Sequence, residues 1–381
     1  MRIKGLPGAI NLGRRSHCSI SRSTLSTPLL DHAQRPRLLP NHQTQAPRQT
    51  RTLTAASNMT ARRVPMEPQR VDAPLTASAT FLVLTLTDAP DAATRVRGVL
   101  GSLGSLAKNV ASRDPGAAFA CTAGIGAAAW DRLTRGAGGP RPRELHAFPE
   151  VRGATHTAPS TPGDVLFHIR AERRDLCFEF ERQLLEQLGP AVAVADATVG
   201  FRYFDLRDLL GFVDGTANPV GQAVPAAVVV AAEDGDAAAA AGGSYVVVQK
   251  YLHDMAAWRA LKTEAQEGIL GRTKFDNVEF EDAGPAEQKA HKTLATIEDE
   301  SGEYSILRDN MPFGNPAHGE FGTYFIGYSS RLWVIEKMME RMFIGDPPGL
   351  YDRLLDYSTP VTGSTFFAPS ASFLASLGDD N

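Results

Sequence analysis

Three short segments carry residue types able to move protons or hold a metal. The first is GFVDGTANP, residues 211–219. Glycines at 211 and 215 punctuate a turn that Pro219 ends, and Asp214 stands among small neighbours. Such a turn can aim one carboxylate into a cavity while the backbone approaches closely. A surface Asp-Gly turn is the plainer alternative. The second is ILRDNMPFG, residues 306–314. Arg308 and Asn310 are two apart at a strand end, so in extended backbone they point to one side. The alternative is a salt-bridged surface arginine ahead of a Pro-Gly turn. The third is His291 in QKAHKTLATI. Lone histidines are mostly surface or core residues. What raises this one is the acidic run upstream, Glu279, Glu281 and Asp282, because a metal-bound imidazole donates its other N–H to a carboxylate or carbonyl. Which acid would serve stays open.

The elements that must position these residues read as a repeated α+β pattern. Strands are expected at 79–88, 117–125 and 163–172, with one or two more in 191–204. Helices are expected at 90–109, 126–135 and 175–189, the last ended by Gly189-Pro190. The order suits helices on one face of an antiparallel sheet. The second half repeats the theme. Strands are expected at 243–254, up to 310, at 322–330 and at 363–370. Helices are expected at 255–271, 331–345 and 350–357. Two halves of similar order imply an internal duplication. The Ala-rich stretch 226–243 reads as a strand plus a surface loop without chemistry of its own. The halves are set at 75–205 and 206–372, with a tail at 373–381.

Composition bounds the function classes. With 43% hydrophobic and 22% charged residues, the 381-residue chain reads as globular. No stretch approaches the roughly 20 apolar residues of a membrane span. Cys18, Cys121 and Cys177 have no zinc or redox spacing, and an odd, sparse count fits a reducing compartment. Residues 1–58 hold nine cations against one acid, a net of +8, which leaves −12 for the rest of a chain of −4. An acidic body argues against nucleic acid as the main partner. Residues 1–70 are Arg-, Ser-, Thr- and Pro-rich and read as disordered. They resemble a transit peptide, which would imply organellar import. Alternatively translation starts at Met59 and the protein is cytoplasmic.

GFVDGTANP is similar to the signature of the dye-decolorizing peroxidases. GSYVVVQKYLHDMAAW, GRTKFDN, AHKTLATI, ILRDNMPFG, GEFGTYFIGYSS and GDPPGLYDRLLDYSTPVTGSTFFAPS resemble that family's C-terminal half in the same order, and DVLFHIRAERRD its N-terminal half. The resemblance spans about residues 75–372 and looks most like the compact B-type branch. It implies a duplicated ferredoxin-like fold, two antiparallel sheets with peripheral helices around a barrel-like core, and one heme b per chain. It places the proximal iron ligand on His291, the distal acid on Asp214, the distal arginine on Arg308 and its companion amide on Asn310. Arg272, in GRTK, would meet a heme propionate.

That resemblance implies reduction of hydrogen peroxide and one-electron oxidation of small organic donors such as dyes and phenolics. Asp214 would shuttle the proton that splitting the O–O bond requires. Arg308 would hold the acid ionised and stabilise the departing hydroxide. Asn310 would orient peroxide or water. A homo-oligomer is expected from the family alone. Trp130, Trp258, Trp333 and the eight tyrosines are candidate electron relays, although Tyr324 and Tyr328 share one strand face, where core packing is the default. Heme storage, transfer or iron release is the alternative function. A distal acid argues for turnover, since a carrier has no need of one. A second rival is the partial dinucleotide fingerprint GIGAAA, 124–129, whose expected acidic partner is unconvincing. The chain stops at SLGDDN soon after its last strand, which gives little support to packaging in a protein shell.

Overall fold

The computed structural model describes residues 66–135, 141–232 and 240–378. The apolar runs of the first half form β1 (Ser78–Leu86), β2 (Ala120–Gly126), β3 (Val165–Ala171) and β4 (Val192–Phe201). α1 (Ala92–Ala111) lies between β1 and β2, the short α2 (Ala127–Thr134) follows β2, and α3 (Arg174–Leu188) leads into β4. The strands pair antiparallel in the order β2-β3-β1-β4, the ferredoxin-like arrangement.

The second half repeats it. After α4 (Ala223–Val228) come β5 (Ser244–His253), α5 (Met255–Ala260), α6 (Thr263–Leu270) and the four-residue α7 (His291–Leu294). Then follow β6 (Leu307–Arg308), β7 (Met311–Asn315), β8 (Glu320–Ser329), α8 (Leu332–Phe343), β9 (Ser358–Pro360), β10 (Ser364–Ala368) and α9 (Ala371–Ser376). The order β6-β8-β5-β10 matches the first half, with β7 also on β8 and β9 on β5.

The two expected sheets are in fact one. β10 pairs with β2 through Phe366–Gly126 and Phe367–Ile125, giving a single ten-stranded sheet. Gly124 of GIGAAA makes room for that join, and Gly126 for the chain entering β3. A Cβ at Gly124 would meet Phe366, and one at Gly126 would meet the Gly163 carbonyl. The fingerprint glycines therefore serve strand packing in an antiparallel sheet, not a phosphate turn. The barrel-like core is a curled sheet without a closing ladder among the described residues. β4 comes close to β7, where a Cβ at Gly200 would collide with Met311.

Strand alternation divides the core. Leu82, Leu84, Ile125, Phe167 and Val247 face the helices, against Val96, Leu100 and Leu103 of α1 and Ile335 and Met339 of α8. Phe81, Val83, Leu166, Val246, Tyr324, Ile326 and Tyr328 face the inside of the curl. Each such buried apolar side chain contributes about 1.5–3 kcal/mol.

Several boundaries differ from expectation. The helix expected over 255–271 breaks at Leu261 and Lys262, which are extended with ψ of 145° and 153°. The strand expected in 226–243 is replaced by α4, in keeping with the helix preference of alanine, and 233–239 lie outside the described residues. Within 350–357 only one 3-10 turn forms, Arg353–Asp356. β7 was not foreseen, because Pro312 speaks against a strand; it pairs with β8 alone, where proline is tolerated.

The segments expected as a disordered head, 1–70, and as a tail, 373–381, both contain folded residues. The Gln69 amide donates to the Ala123 and Pro369 carbonyls at 2.7 and 2.8 Å and accepts from the Ala123 N–H at 2.8 Å, which ties 66–70 to the sheet. The basic head up to 65 lies outside the described residues. The tail forms the end of α9, and Leu374 and Leu377 are buried. No helix among the described residues is long and apolar enough to cross a membrane.

Candidate active site

The loop carrying Asp214 is anchored before it turns. Phe212 is buried edge-on against Trp258, whose indole N–H donates to the Leu210 carbonyl at 3.0 Å. The Arg207 guanidinium donates to the Gly211 carbonyl at 2.9 Å. Gly211 and Gly215 take φ of 97° and 75°, a region that favours glycine. Asp214 itself accepts the Gly215 N–H on Oδ1 at 2.7 Å.

β6 runs into the RDN segment, and alternation puts Arg308 and Asn310 on one side and Asp309 on the other, as the spacing implies. Asn310 Nδ2 donates to Asp214 Oδ2 at 3.1 Å, while its Oδ1 accepts the Ile326 N–H at 3.2 Å. Arg308 Nη2 donates to the Ala295 carbonyl at 3.2 Å, at the end of α7. Burial pulls the Arg308 guanidinium below the ordinary arginine range, and the Asp214 charge works against that pull.

His291 opens α7, and Leu294, fully buried, fixes that short helix. The acid that holds the imidazole is none of the upstream run. It is Asp352, whose Oδ2 lies 2.6 Å from Nδ1 and whose side chain is wholly buried. Asp352 Oδ1 accepts the Leu354 N–H at 2.9 Å, and its own N–H donates to the Met342 carbonyl at the end of α8. Burial lowers the proton affinity of His291, but the charge and hydrogen bond of Asp352 outweigh it and leave the imidazole above its usual range. The upstream acids are spent elsewhere or face solvent. Asp282 holds Lys292 and Thr293, Glu279 holds Arg272, and Glu281 is exposed.

Asp214, Arg308, Asn310, His291 and Arg272 all line one cavity of about 590 Å³. Sites that enclose small organic ligands run from roughly 300 to 1,000 Å³. Leu270, Phe325, Met338, Met339, Met342 and Leu355 supply apolar walls. With Nδ1 engaged by Asp352, Nε2 is the nitrogen left to ligate, the arrangement a metal-bound imidazole needs. The donor set fits an iron porphyrin: one imidazole, apolar walls for the ring and cations at the rim. Arg272 is already engaged, donating from Nη1 to Asn277 at 2.6 Å and from Nη2 to Glu279.

Sequence reasoning missed Asp352, Asn218 and Asp208. Asp208 lines the same cavity wall, and burial pushes its carboxyl up to about 7, with the Asp214 charge adding to the effect.

A duplicated ferredoxin-like fold with a buried Asp–His pair on a partly apolar cavity is suited to a protein that holds a metal cofactor through one imidazole. The family models Dyp-type peroxidase, N-terminal, and Dyp-type peroxidase, C-terminal, match residues 68–202 and 205–373. The dye-decolorizing peroxidase of Rhodococcus erythropolis (strain PR4 / NBRC 100887) is 51% identical, over 82% of this chain and 89% of its own length. The solved structure of DyPB from Rhodococcus jostii RHA1 is similar with a TM-score of 0.77 and 49% identity, over 82% of this chain and 99% of that one. A variant of that protein in complex with heme is similar to the same degree, TM-score 0.77 and 49% identity, over the same shares. This chain belongs to the Dyp-type peroxidase family and is a heme peroxidase.

Proposed function

We propose that the protein reduces hydrogen peroxide to water and oxidises small organic donors in one-electron steps, with His291 as the iron ligand, Asp214 and Arg308 acting on the peroxide and Asn310 beside them in the distal pocket. The observation that carries this reading is the convergence of all four side chains on one cavity, with Asp352 behind the imidazole. The donor class follows from the relatives, which are named for dye decolorization.

Heme bound in this cavity would supply the iron site for peroxide and the two-electron redox chemistry of O–O cleavage. His291 presents Nε2, and Asp352 keeps the ring in the tautomer with that nitrogen free. Asp214 takes the proton of one peroxide oxygen and returns it to the other, which leaves as water. Oδ1 accepts from the Gly215 N–H and Oδ2 from Asn310, which holds the carboxylate in place for that transfer. The Arg308 guanidinium meets the charge that develops on the departing oxygen. Asn310 orients Asp214 through Nδ2 because its Oδ1 is committed to Ile326. Arg272 would meet a propionate by giving up Glu279, whose side chain is largely exposed at 57%.

The test is steady-state peroxide turnover, with heme absorbance recorded in parallel, on His291→Ala, Asp214→Ala and Arg308→Ala. His291→Ala loses the iron–imidazole spectrum. The two distal variants keep heme and lose turnover by about 10²–10⁴-fold, the usual worth of a positioned acid–base group. Wild-type turnover in both distal variants would sink the assignment.

A further inference from the structure

Behind the active-site strand, on the face of β6 and β8 turned away from the cavity, lies a polar cluster sealed inside the apolar curl. Arg170, His168 and Tyr328 are fully buried, and Asp309 is 2% exposed. The Tyr328 hydroxyl lies 2.9 Å from His168 Nδ1. Arg170 Nη1 donates to Asp309 Oδ2 at 2.9 Å, and Nη2 donates to the Thr122 hydroxyl at 3.2 Å. Apolar cores exclude such groups unless each is paired. His168 Nε2 and Asp309 Oδ1 nevertheless have no hydrogen-bond partner.

The donor directions form a chain. Thr122 accepts from Arg170, so its own proton is free for the Tyr328 oxygen. With Tyr328 donating to His168 Nδ1, the remaining imidazole proton would sit on Nε2, 3.8 Å from Asp309 Oδ2. Burial, with Arg170 assisting, holds His168 well below its usual range, so it waits neutral. A buried phenol with a neutral imidazole on its oxygen can give up an electron while its proton crosses one hydrogen bond, and the imidazolium that results has a carboxylate oxygen 3.8 Å away.

We propose that Tyr328 and His168 form a proton-coupled redox pair inside the protein. It rests on the peroxidase reading above, which supplies the oxidant. Tyr328 gives one electron to the peroxide-oxidised heme, and its O–H proton moves to His168 Nδ1. The products are a neutral phenoxyl radical and an imidazolium facing Asp309. An organic donor then returns one electron, and the proton passes back from Nδ1 to the phenol oxygen. β8 is the conduit, since it lays Thr323 and Phe325 on the cavity wall and Tyr328 on the opposite face. The Phe81 ring stacks on His168 at 4.8 Å and on Tyr324 at 4.1 Å, which makes Tyr324 the comparison residue.

Two measurements test the pair. In the heme-free chain, nitrogen NMR of labelled histidine reads the His168 tautomer. The expected form carries its proton on Nε2, and a proton on Nδ1 overturns the proposal. In the holoenzyme, peroxide without donor is followed by electron paramagnetic resonance and heme absorbance together. The expected result is a tyrosyl signal that narrows on ring deuteration of tyrosine. It is lost in Tyr328→Phe and retained in Tyr324→Phe. A heme that responds to peroxide while Tyr328→Phe keeps the wild-type radical refutes the pair alone. A heme that does not respond refutes the peroxidase mechanism instead. Should Tyr328→Phe fail to fold, the His168 tautomer in the wild type still decides.

Discussion

Asn218 grips the peptide of Arg308 with both ends of its side-chain amide. Nδ2 donates to the Arg308 carbonyl at 2.7 Å, and Oδ1 accepts the Arg308 N–H at 2.9 Å. The two residues are 90 apart in sequence. This contact sews the Asp214 loop to the strand that carries Arg308 and Asn310, so that the acid and the guanidinium are placed by one splint.

Asn218→Ala therefore acts on catalysis without touching peroxide. It leaves two partly buried backbone groups unpaired, at about 1–3 kcal/mol each. The expected outcome is a thermal midpoint lower by several degrees, intact heme absorbance and a fall in peroxide kcat/KM. Asn218→Asp keeps the acceptor and loses the donor, so it should fall between wild type and alanine. A kcat/KM unchanged in Asn218→Ala would show that the splint positions nothing. Calorimetry and stopped-flow peroxide kinetics are the measurements.

Asp352 makes a second case for action through a neighbour. Its Oδ2 lies 2.6 Å from the Nδ1 of His291, and its side chain is wholly sealed from solvent. Asp352→Asn keeps the shape and removes the charge. Such partners of metal ligands are worth about 10–100-fold in affinity or activity. The heme reduction potential should rise, because the imidazole becomes a weaker electron donor. Potentiometric titration reads the sign, and a potential at or below wild type contradicts the role.

The sequence placed Asp214, Arg308, Asn310, His291 and Arg272 as candidates, and the fold brings all five to one cavity. Their local signals were short: a glycine-bracketed acid, a two-residue spacing and a family-like block. Asp352 was illegible because it lies 61 residues beyond His291, and nothing in LYDRLL marks it. The acidic run that drew attention pairs instead with Arg272, Lys292 and Thr293, its sequence neighbours. The strand order was legible as a repeat. The joining of the halves was not, because Gly124 and Gly126 read as a nucleotide turn until β10 is seen packed against them.

Asp208 gives the stability a pH dependence of known sign. Its carboxyl sits near 7 in the fold, pushed up by burial and by the Asp214 charge. Unfolded, it ionises near the ordinary value of about 3.9. The fold thus binds that proton more tightly than the unfolded chain. Asp208 favours folding fully below about pH 4, and that contribution is lost as pH rises through about 7. Asp208→Asn can still accept the Phe212 N–H, so its thermal midpoint should match wild type at low pH and exceed it at pH above 7. Equal midpoints for the two proteins across that range would rule out a raised carboxyl.

The buried ion pair of Arg170 and Asp309 supplies the last prediction, because its two halves should not be equally dispensable alone and together. Both side chains are essentially inaccessible, and the Nη1–Oδ2 distance is 2.9 Å. Arg170→Leu strands the Asp309 carboxylate in the apolar curl, at about 3–5 kcal/mol. Replacing both ions by leucine removes the stranded charge, and such exchanges are often neutral or better by about 1–4 kcal/mol. The double variant should therefore be more stable than Arg170→Leu. Chemical denaturation of the heme-free chain measures the difference, and a double variant no more stable than Arg170→Leu would contradict a stranded carboxylate.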